Sequence, residues 1–349
     1  MFTINNKLLS LLGLIRQGIL IIAAISISMQ QGLAAQPATN ADSMGNEAAL
    51  ILQKRTVDPI KAGKRAIRVL VTYNATNYFV AEGKQAGLEY ELMANFERFL
   101  NKGIKAEKKY HLIFIALPFE DLIPALVRGE GDIIAAGMTI TSQRSAKVAF
   151  TNPYRANISE TVVRNSKTDN VKEAFDLAGK TVHVISGSSY VTSLQHLNKE
   201  LKENKKPALK IVQTDKHLVS EDLLQMVNAG ILDYTIVDSH IANLWSKILE
   251  DIIVEEGASV SAGSQLGWAV RKNNTALKNK LNTFLKTHKQ GTETGNVLFN
   301  RYYKKTKWIT NPVSELTIKR LHKYQQSFMK YGKQYDIDWV MLTALGYQE

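Results

Sequence analysis

The chain has 349 residues, 45% of them hydrophobic, and its 44 Lys and Arg stand against 32 Asp and Glu for a net charge of +12. That length leaves room for two or three domains with real cores. The absence of cysteine excludes disulfides, Cys-ligated metals, a thiol nucleophile and a lipid-modified cysteine anchor. No HExxH, P-loop or GxSxG pattern occurs, so no metal and no cofactor is expected.

Lys7 and Arg16 punctuate an apolar run from Leu8 to Ile27, followed by Gly32-Leu33-Ala34-Ala35, a string suited to signal-peptidase cleavage. Residues 1–35 therefore read as a signal peptide, which directs the remainder to the periplasm. The competing reading is an uncleaved anchor, for which the apolar part after Arg16 falls short of the roughly 20 residues of a spanning helix. Residues 36–65 are polar, then basic (Lys54, Arg55, Lys61, Lys64, Arg65), and without periodicity they read as a linker. In an exported protein a basic balance favours anionic cell-wall polymer and peripheral contact with lipid head groups; no nucleic-acid module is present, so no nucleic acid is expected. The lysines from Lys102 to Lys109 and from Lys199 to Lys210 read as solvated charge on helix ends and turns.

From Ala66 strands and helices alternate. Ile67 to Tyr73 is a β-branched run, Leu88 to Leu100 has apolar residues at helical spacing, and Leu112 to Leu117 is a second strand. Phe119 to Arg128 reads as a helix stopped by Gly129, and Asp132 to Ala136 as a third strand. A second set follows, with strands at Thr181 to Ile185, Lys210 to Gln213 and Tyr234 to Val237 and helices at Ser189 to Leu201 and Ser220 to Ala229. Such alternation predicts an α/β fold with parallel sheets covered by helices on both faces. Two units in succession predict two lobes with a cleft between them.

The run Pro118 to Tyr154, PFEDLIPALVRGEGDIIAAGMTITSQRSAKVAFTNPY, resembles the signature of family 3 extracellular solute-binding proteins, the polar amino-acid receptors of importers. Leu177 to Leu197, Gly230 to Ala242 and Gly267 to Tyr303 resemble later segments of that family in the same order. The resemblance implies a two-lobed, periplasmic-binding-protein-like fold of type II over residues 66–309. Lobe one would take about 66–155 and 267–309, and lobe two about 156–266.

It also implies a ligand site. Arg144 offers a planar donor fork for an α-carboxylate, which a lysine could not match. Asp238, just after a strand, can accept from an α-ammonium. Thr139 and the backbone at Gly137 add hydrogen bonds, and Ser188 and Ser189 open a helix whose free N–H groups favour an anion. Each residue also has a plain structural reading: Arg144 as a surface ion-pair partner, Asp238 and Ser189 as helix caps, Gly137 as a turn. Two positions depart from the family pattern: Asn74 stands where an acidic ligand for the ammonium is common, and Ile185 where a lysine can occur. Asn74 is kept as a candidate, and the ligand is expected to be a small amino acid or muropeptide-like molecule. Tyr73, Tyr78 and Phe79 could stack on a ligand or pack as core.

The final segment, Tyr335 to Glu349, puts Trp339, Leu342, Leu345, Gly346 and Glu349 on one helical face. A carboxyl closing an apolar stripe has its pKa raised by burial, as a general acid requires; the plain reading is a solvated glutamate. DWVMLTALGYQE resembles the opening of the lysozyme-like domain of soluble-lytic-transglycosylase type, in which the glutamate of a YQES-like string is the sole catalytic carboxylate, matching Glu349. A family 3 module joined to such a domain is the architecture of the type F membrane-bound lytic murein transglycosylases. That resemblance implies a peptidoglycan-remodelling lyase, peripheral to the outer membrane, with residues 312–349 as the opening fragment of its catalytic domain. Lysozyme-like domains run to roughly 100 or more residues, so the 349-residue polypeptide is expected to lack muramidase activity and its tail to be loosely attached. The alternative is a non-catalytic receptor serving an importer or a sensor.

Overall fold

The computed structural model describes residues 54–81, 83–306, 309, 315–335 and 337. The signal peptide, the first part of the linker, Trp339, Leu342, Leu345 and Glu349 lie outside the described residues. One compact unit, Asn46–Phe79 with Gln85–Trp308, contains both large sheets.

The chain opens with β1 (Ala66–Val71), β2 (Phe79–Ala81), β3 (Lys84–Ala86), α1 (Leu88–Leu100), β4 (His111–Ala116), α2 (Leu122–Arg128), β5 (Ile133–Ile134), α3 (Ser142–Ser145) and β6 (Ala149–Phe150), of which Val80–Lys84 belongs to the other unit. Next come β7 (Arg155–Asn165), β8 (Thr181–Val184), α4 (Ser189–Glu203), β9 (Lys210–Gln213), α5 (Ser220–Asn228), β10 (Tyr234–Asp238), α6 (Ser239–Trp245) and β11 (Ile252–Leu266). The chain returns through β12 (Ala269–Val270), α7 (Thr275–His288) and α8 (Glu293–Lys304). A further helix, α9 (Glu315–Tyr335), belongs to the other unit.

The first sheet has the order β4-β1-β5-β12-β6 and the second β11-β7-β10-β8-β9. β1 is parallel to β4 and β5, and β8 is parallel to β9 and β10. The sheets are mixed rather than wholly parallel, because β12 runs antiparallel to β5 and β6, and β7 antiparallel to β10 and β11. The helix expected over Phe119 to Arg128 divides into a 3-10 turn, Phe119–Asp121, and α2, which stops at Gly129 with a left-handed φ of 82° as its position after the last apolar residue predicted.

β1 is buried on both faces, with Ile67, Val69, Leu70 and Val71 inaccessible, and α2 closes over Leu70 with Leu122, Ala125 and Leu126. Truncating a leucine in such a cluster costs about 2–5 kcal/mol. From Lys54 onward the stretch expected as linker is tied to the first sheet. Arg55 pairs with Asp132 and donates its backbone N–H to Gly129 O. Asp58 accepts from the N–H groups of Ala276 and Leu277, capping α7 from 218 residues away in sequence.

Two short segments, between β6 and β7 and between β11 and β12, cross from one sheet to the other. They lie side by side: Thr151 N–H donates to Trp268 O at 2.9 Å and Tyr154 N–H to Leu266 O at 3.0 Å. A two-strand connection of this kind lets two lobes pivot while each keeps its own core.

Candidate ligand cleft

Loops at the carboxyl ends of the parallel strands face one another across a cleft of about 590 Å³, its open mouth included. In parallel sheets this is where ligands bind. The first lobe contributes Thr72, Asn74 and Asn77 after β1, Ala136, Gly137 and Thr139 after β5, and Arg144 and Phe119. The second contributes Ile185, Ser188, Ser189 and Tyr190 after β8, Val219, Ser220 and Glu221 at the start of α5, and Asp238, His240 and Ile241 after β10. The seven binding candidates, Asn74, Gly137, Thr139, Arg144, Ser188, Ser189 and Asp238, are thus brought together around one cleft.

Arg144 sits on α3, positioned by the cap in which its backbone N–H donates to Thr141 Oγ1 at 3.2 Å. It is buried and, among the described residues, the hydrogen-bond partners of its guanidinium are carbonyl oxygens rather than a carboxylate, so the surface ion-pair reading does not hold. Its guanidinium donates to Thr139 O at 2.8 Å and to Gly187 O at 3.0 Å, and lies 5.4 Å from the centre of the Phe119 ring. Two of five N–H donors are so used. Burial lowers the guanidinium's pKa, against the pull of Tyr190, Glu160 and Asp238, yet leaves it charged.

Asp238 faces it from the other lobe. Although Asp238 occupies the N-cap position of α6, its side chain caps nothing. It accepts instead from Tyr190 Oη at 3.2 Å, while its own N–H donates back to Tyr190 Oη at 3.1 Å. Burial, then the neighbouring Glu160, pushes the Asp238 carboxyl up to about 7, opposed by Tyr190, Arg155 and Arg144. The serines do not cap α4 either: Ser188 Oγ donates to Ile185 O at 2.8 Å and Ser189 Oγ to Glu160 Oε1 at 2.6 Å.

Asn74 uses its side-chain oxygen inside its own loop, accepting from the N–H groups of Thr76 and Asn77 at 3.0 and 2.7 Å. Gly137 has a φ of 63° and donates its N–H to Glu89 Oε1. Glu89, fully buried, also accepts from Tyr154 Oη at 2.6 Å and Trp268 Nε1 at 2.8 Å, so one carboxylate ties the Gly137 loop to both crossing segments. Burial raises its pKa against these three bonds. Tyr78 is core, stacked on Phe114 at 5.6 Å.

Sequence reasoning missed Tyr190, Glu221, His240 and Phe119 in the lining, and Glu160 and Glu89 behind it. Glu221 resembles a helix-start acid; it is buried and accepts from Thr76 Oγ1 at 2.8 Å across the cleft. His240 is buried with an unpartnered Nδ1, and burial together with Arg155 holds its pKa well below the ordinary range. Among the described residues no group of three His, Asp or Glu could hold a metal, and no helix is long and apolar enough to cross a membrane.

Two mixed α/β lobes, joined by paired crossing segments and lined with polar groups at the carboxyl ends of their strands, define a two-lobed binding protein of the type II periplasmic class. The chain belongs to the bacterial extracellular solute-binding proteins, family 3, whose pattern matches residues 67–305.

Among curated relatives, the membrane-bound lytic murein transglycosylase F of Methylobacillus flagellatus is 30% identical over 80% of this chain and 58% of its own. That of Pseudomonas fluorescens strain Pf0-1 is 31% identical over 81% of this chain and 56% of its own. The chain thus spans little more than half the length of these relatives. Among solved structures, an ancestral arginine-binding protein bound to arginine matches with a TM-score of 0.55 and 27% identity, covering 68% of this chain and 98% of that one. Holo ArgBP from T. maritima matches at 0.53 and 26%, covering 71% and 100%.

Proposed function

We propose that the cleft captures a small ligand carrying both a carboxylate and an ammonium group, an amino acid or a short muropeptide-like peptide. The observation that carries this reading is the placement of Arg144 and Asp238 on opposite walls, each buried and, among the described residues, bonded to uncharged groups rather than to an opposite charge. A buried charge without a partner is costly. A zwitterion supplies both partners at once and draws the lobes together.

The likeness to type F transglycosylases supports a further step: the chain is the ligand-responsive part of a murein-remodelling protein of the cell envelope, with peptidoglycan as partner. In this reading Glu349 is the acid and then the base of glycan cleavage, and the segment from residue 312 belongs to the catalytic domain. A second reading, a receptor for an importer or sensor, is supported by the near-complete coverage of the arginine-binding neighbours.

Calorimetry of the 349-residue chain against amino acids and stem peptides tests the ligand reading. Arg144→Ala and Asp238→Ala should each weaken binding by about 2–5 kcal/mol. Unchanged affinity in both variants would move the site elsewhere. Deleting the gene separates the two biological readings: an altered muropeptide profile with intact amino-acid uptake supports the murein role, and lost uptake with unchanged muropeptides supports the receptor.

A further inference from the structure

Behind the cleft lies a second carboxylate. Glu160 on β7 is 1% exposed and stands in antiparallel register with Asp238 on β10, so the two side chains share one face of the sheet. Glu160 Oε1 takes the hydroxyl hydrogen of Ser189, and its Oε2 is buried with no partner. Asp238 is held by Tyr190, the next residue along. The first two residues of α4 therefore each grip one acid of the pair, at the positive end of a 15-residue helix.

Beside a second buried carboxylate Asp238 is harder to ionise: burial, then Glu160, pushes its carboxyl up. The ionisable groups around them are Tyr190 on α4, Arg144 on α3, Arg155 on β7, His240 on α6, Glu221 on α5 and Tyr303 on α8. Arg155 and Arg144 favour the charged form of Asp238, and Glu160 opposes it. His240 is held neutral by burial and by Arg155, so it adds no positive charge. Burial keeps the Tyr190 and Tyr303 hydroxyls protonated.

We infer that buried Glu160, in cross-strand register with Asp238, favours the protonated form of Asp238 in the unliganded cleft, and that capture of an ammonium-bearing ligand expels that proton. Glu160 acts through Asp238 and is a positioning residue rather than a ligand contact. The inference rests on the cleft being the binding site. The chemistry balances simply: the ligand's positive charge takes the place of the proton on Asp238, and the proton leaves to solvent. The raised carboxyl of Asp238 agrees with this geometry. A merely structural Glu160, serving only as the acceptor for Ser189, would leave Asp238 to titrate unaffected.

The test has two parts. Carboxyl-carbon NMR of the unliganded full chain should show one group titrating near neutrality, absent in Asp238→Asn. In Glu160→Gln, which keeps an acceptor for Ser189, its midpoint should fall by about one pH unit. Calorimetry with L-arginine and L-glutamine, from about pH 5 to about pH 8.5 in two buffers of different ionisation heat, should show affinity rising about tenfold per pH unit and levelling above the midpoint. The heat should depend on the buffer, and Glu160→Gln should move the levelling point down with the midpoint. A wild-type protein whose Asp238 titrates in the ordinary carboxylate range overturns the inference, as does a midpoint unmoved in Glu160→Gln; the first needs no variant to fold. A neutral midpoint that responds to Glu160→Gln, with neither probe binding at any pH, upholds the action of Glu160 on Asp238 and overturns the ligand reading, and the capture step with it.

Discussion

Gly187 lies against Glu120 across the cleft, so close that a β-carbon on Gly187 would sit 2.6 Å from Glu120 Cβ and 2.8 Å from its Cα. The loop after β8 thereby meets the turn before α2. On either side of this contact Ser186 Oγ donates to Glu120 Oε2, and Gly187 O accepts from Arg144. The lobes are in direct backbone-level contact, which only a residue without a side chain permits.

Gly187→Ala should therefore hold the lobes apart. The substitution also places a β-carbon at a φ of 72°, at a cost of about 1 kcal/mol. Ligand affinity should fall about tenfold or more, equivalent to about 1.4 kcal/mol, with a larger radius of gyration in small-angle scattering. Wild-type affinity in the variant would show that binding does not need this approach.

Thr76 and Glu221 form a second bridge between the lobes. The hydroxyl donates to the carboxylate at 2.8 Å, and both residues are buried. A hydrogen bond to a charged group contributes about 1.5–3 kcal/mol. A double-mutant cycle of Thr76→Val and Glu221→Gln on ligand affinity should yield a coupling of about 0.5–3 kcal/mol. Additive losses would mean that the bridge does not form when ligand is held.

Asp132 is the hub of the first lobe, bonded to Arg55, Arg68 and Arg271. Burial pushes its carboxyl up, but the hydrogen bond from Arg271, the charge of Arg55 and the bonds from Arg68 outweigh this and hold it below the usual range. A depressed folded value contributes stability above the unfolded pKa of about 3.9, lost as pH falls through the folded value. Urea melts of wild type and Asp132→Asn should differ by about 3–5 kcal/mol at neutral pH and converge in acid. A constant difference down to about pH 2 would refute the linkage.

The parallel strands and their loops were legible because short β-branched runs end in polar or glycine-rich turns; Leu88–Leu100 matches its expected helix end to end. β7 and β11 were not. β11 is rich in serine, glycine and glutamate and shifts register four times against its partner, so it lacks the alternation that marks a strand. Missing β7 hid Glu160, which has no meaning until register sets it beside Asp238. Glu89 and Asp58 were invisible for the same reason: their partners stand far off in sequence, and no local pattern announces a long-range acceptor. Family order grouped Arg144 with Asp238, but only the fold shows that Ser188, Ser189 and Asp238 are not caps and that Asn74 spends its oxygen on its own loop.

Asp238 also makes the stability of the unliganded protein depend on pH, in the sense opposite to Asp132. Its folded pKa, pushed up to about 7, exceeds the unfolded value of about 3.9. Stability from this group is thus fully present below the unfolded value and lost as pH rises through the folded one. Burying the ionised carboxyl costs up to about 4 kcal/mol above neutrality, at about 1.4 kcal/mol per pH unit. Between about pH 5 and about pH 8 the melting temperature of the wild type should decline more steeply than that of Asp238→Asn, which keeps an acceptor for Tyr190 but cannot ionise. A saturating zwitterionic ligand should flatten the wild-type profile, because its ammonium stabilises the charged carboxyl. Parallel profiles for the two unliganded proteins would show that Asp238 ionises in the ordinary range and that the cleft already carries its full negative charge at neutral pH.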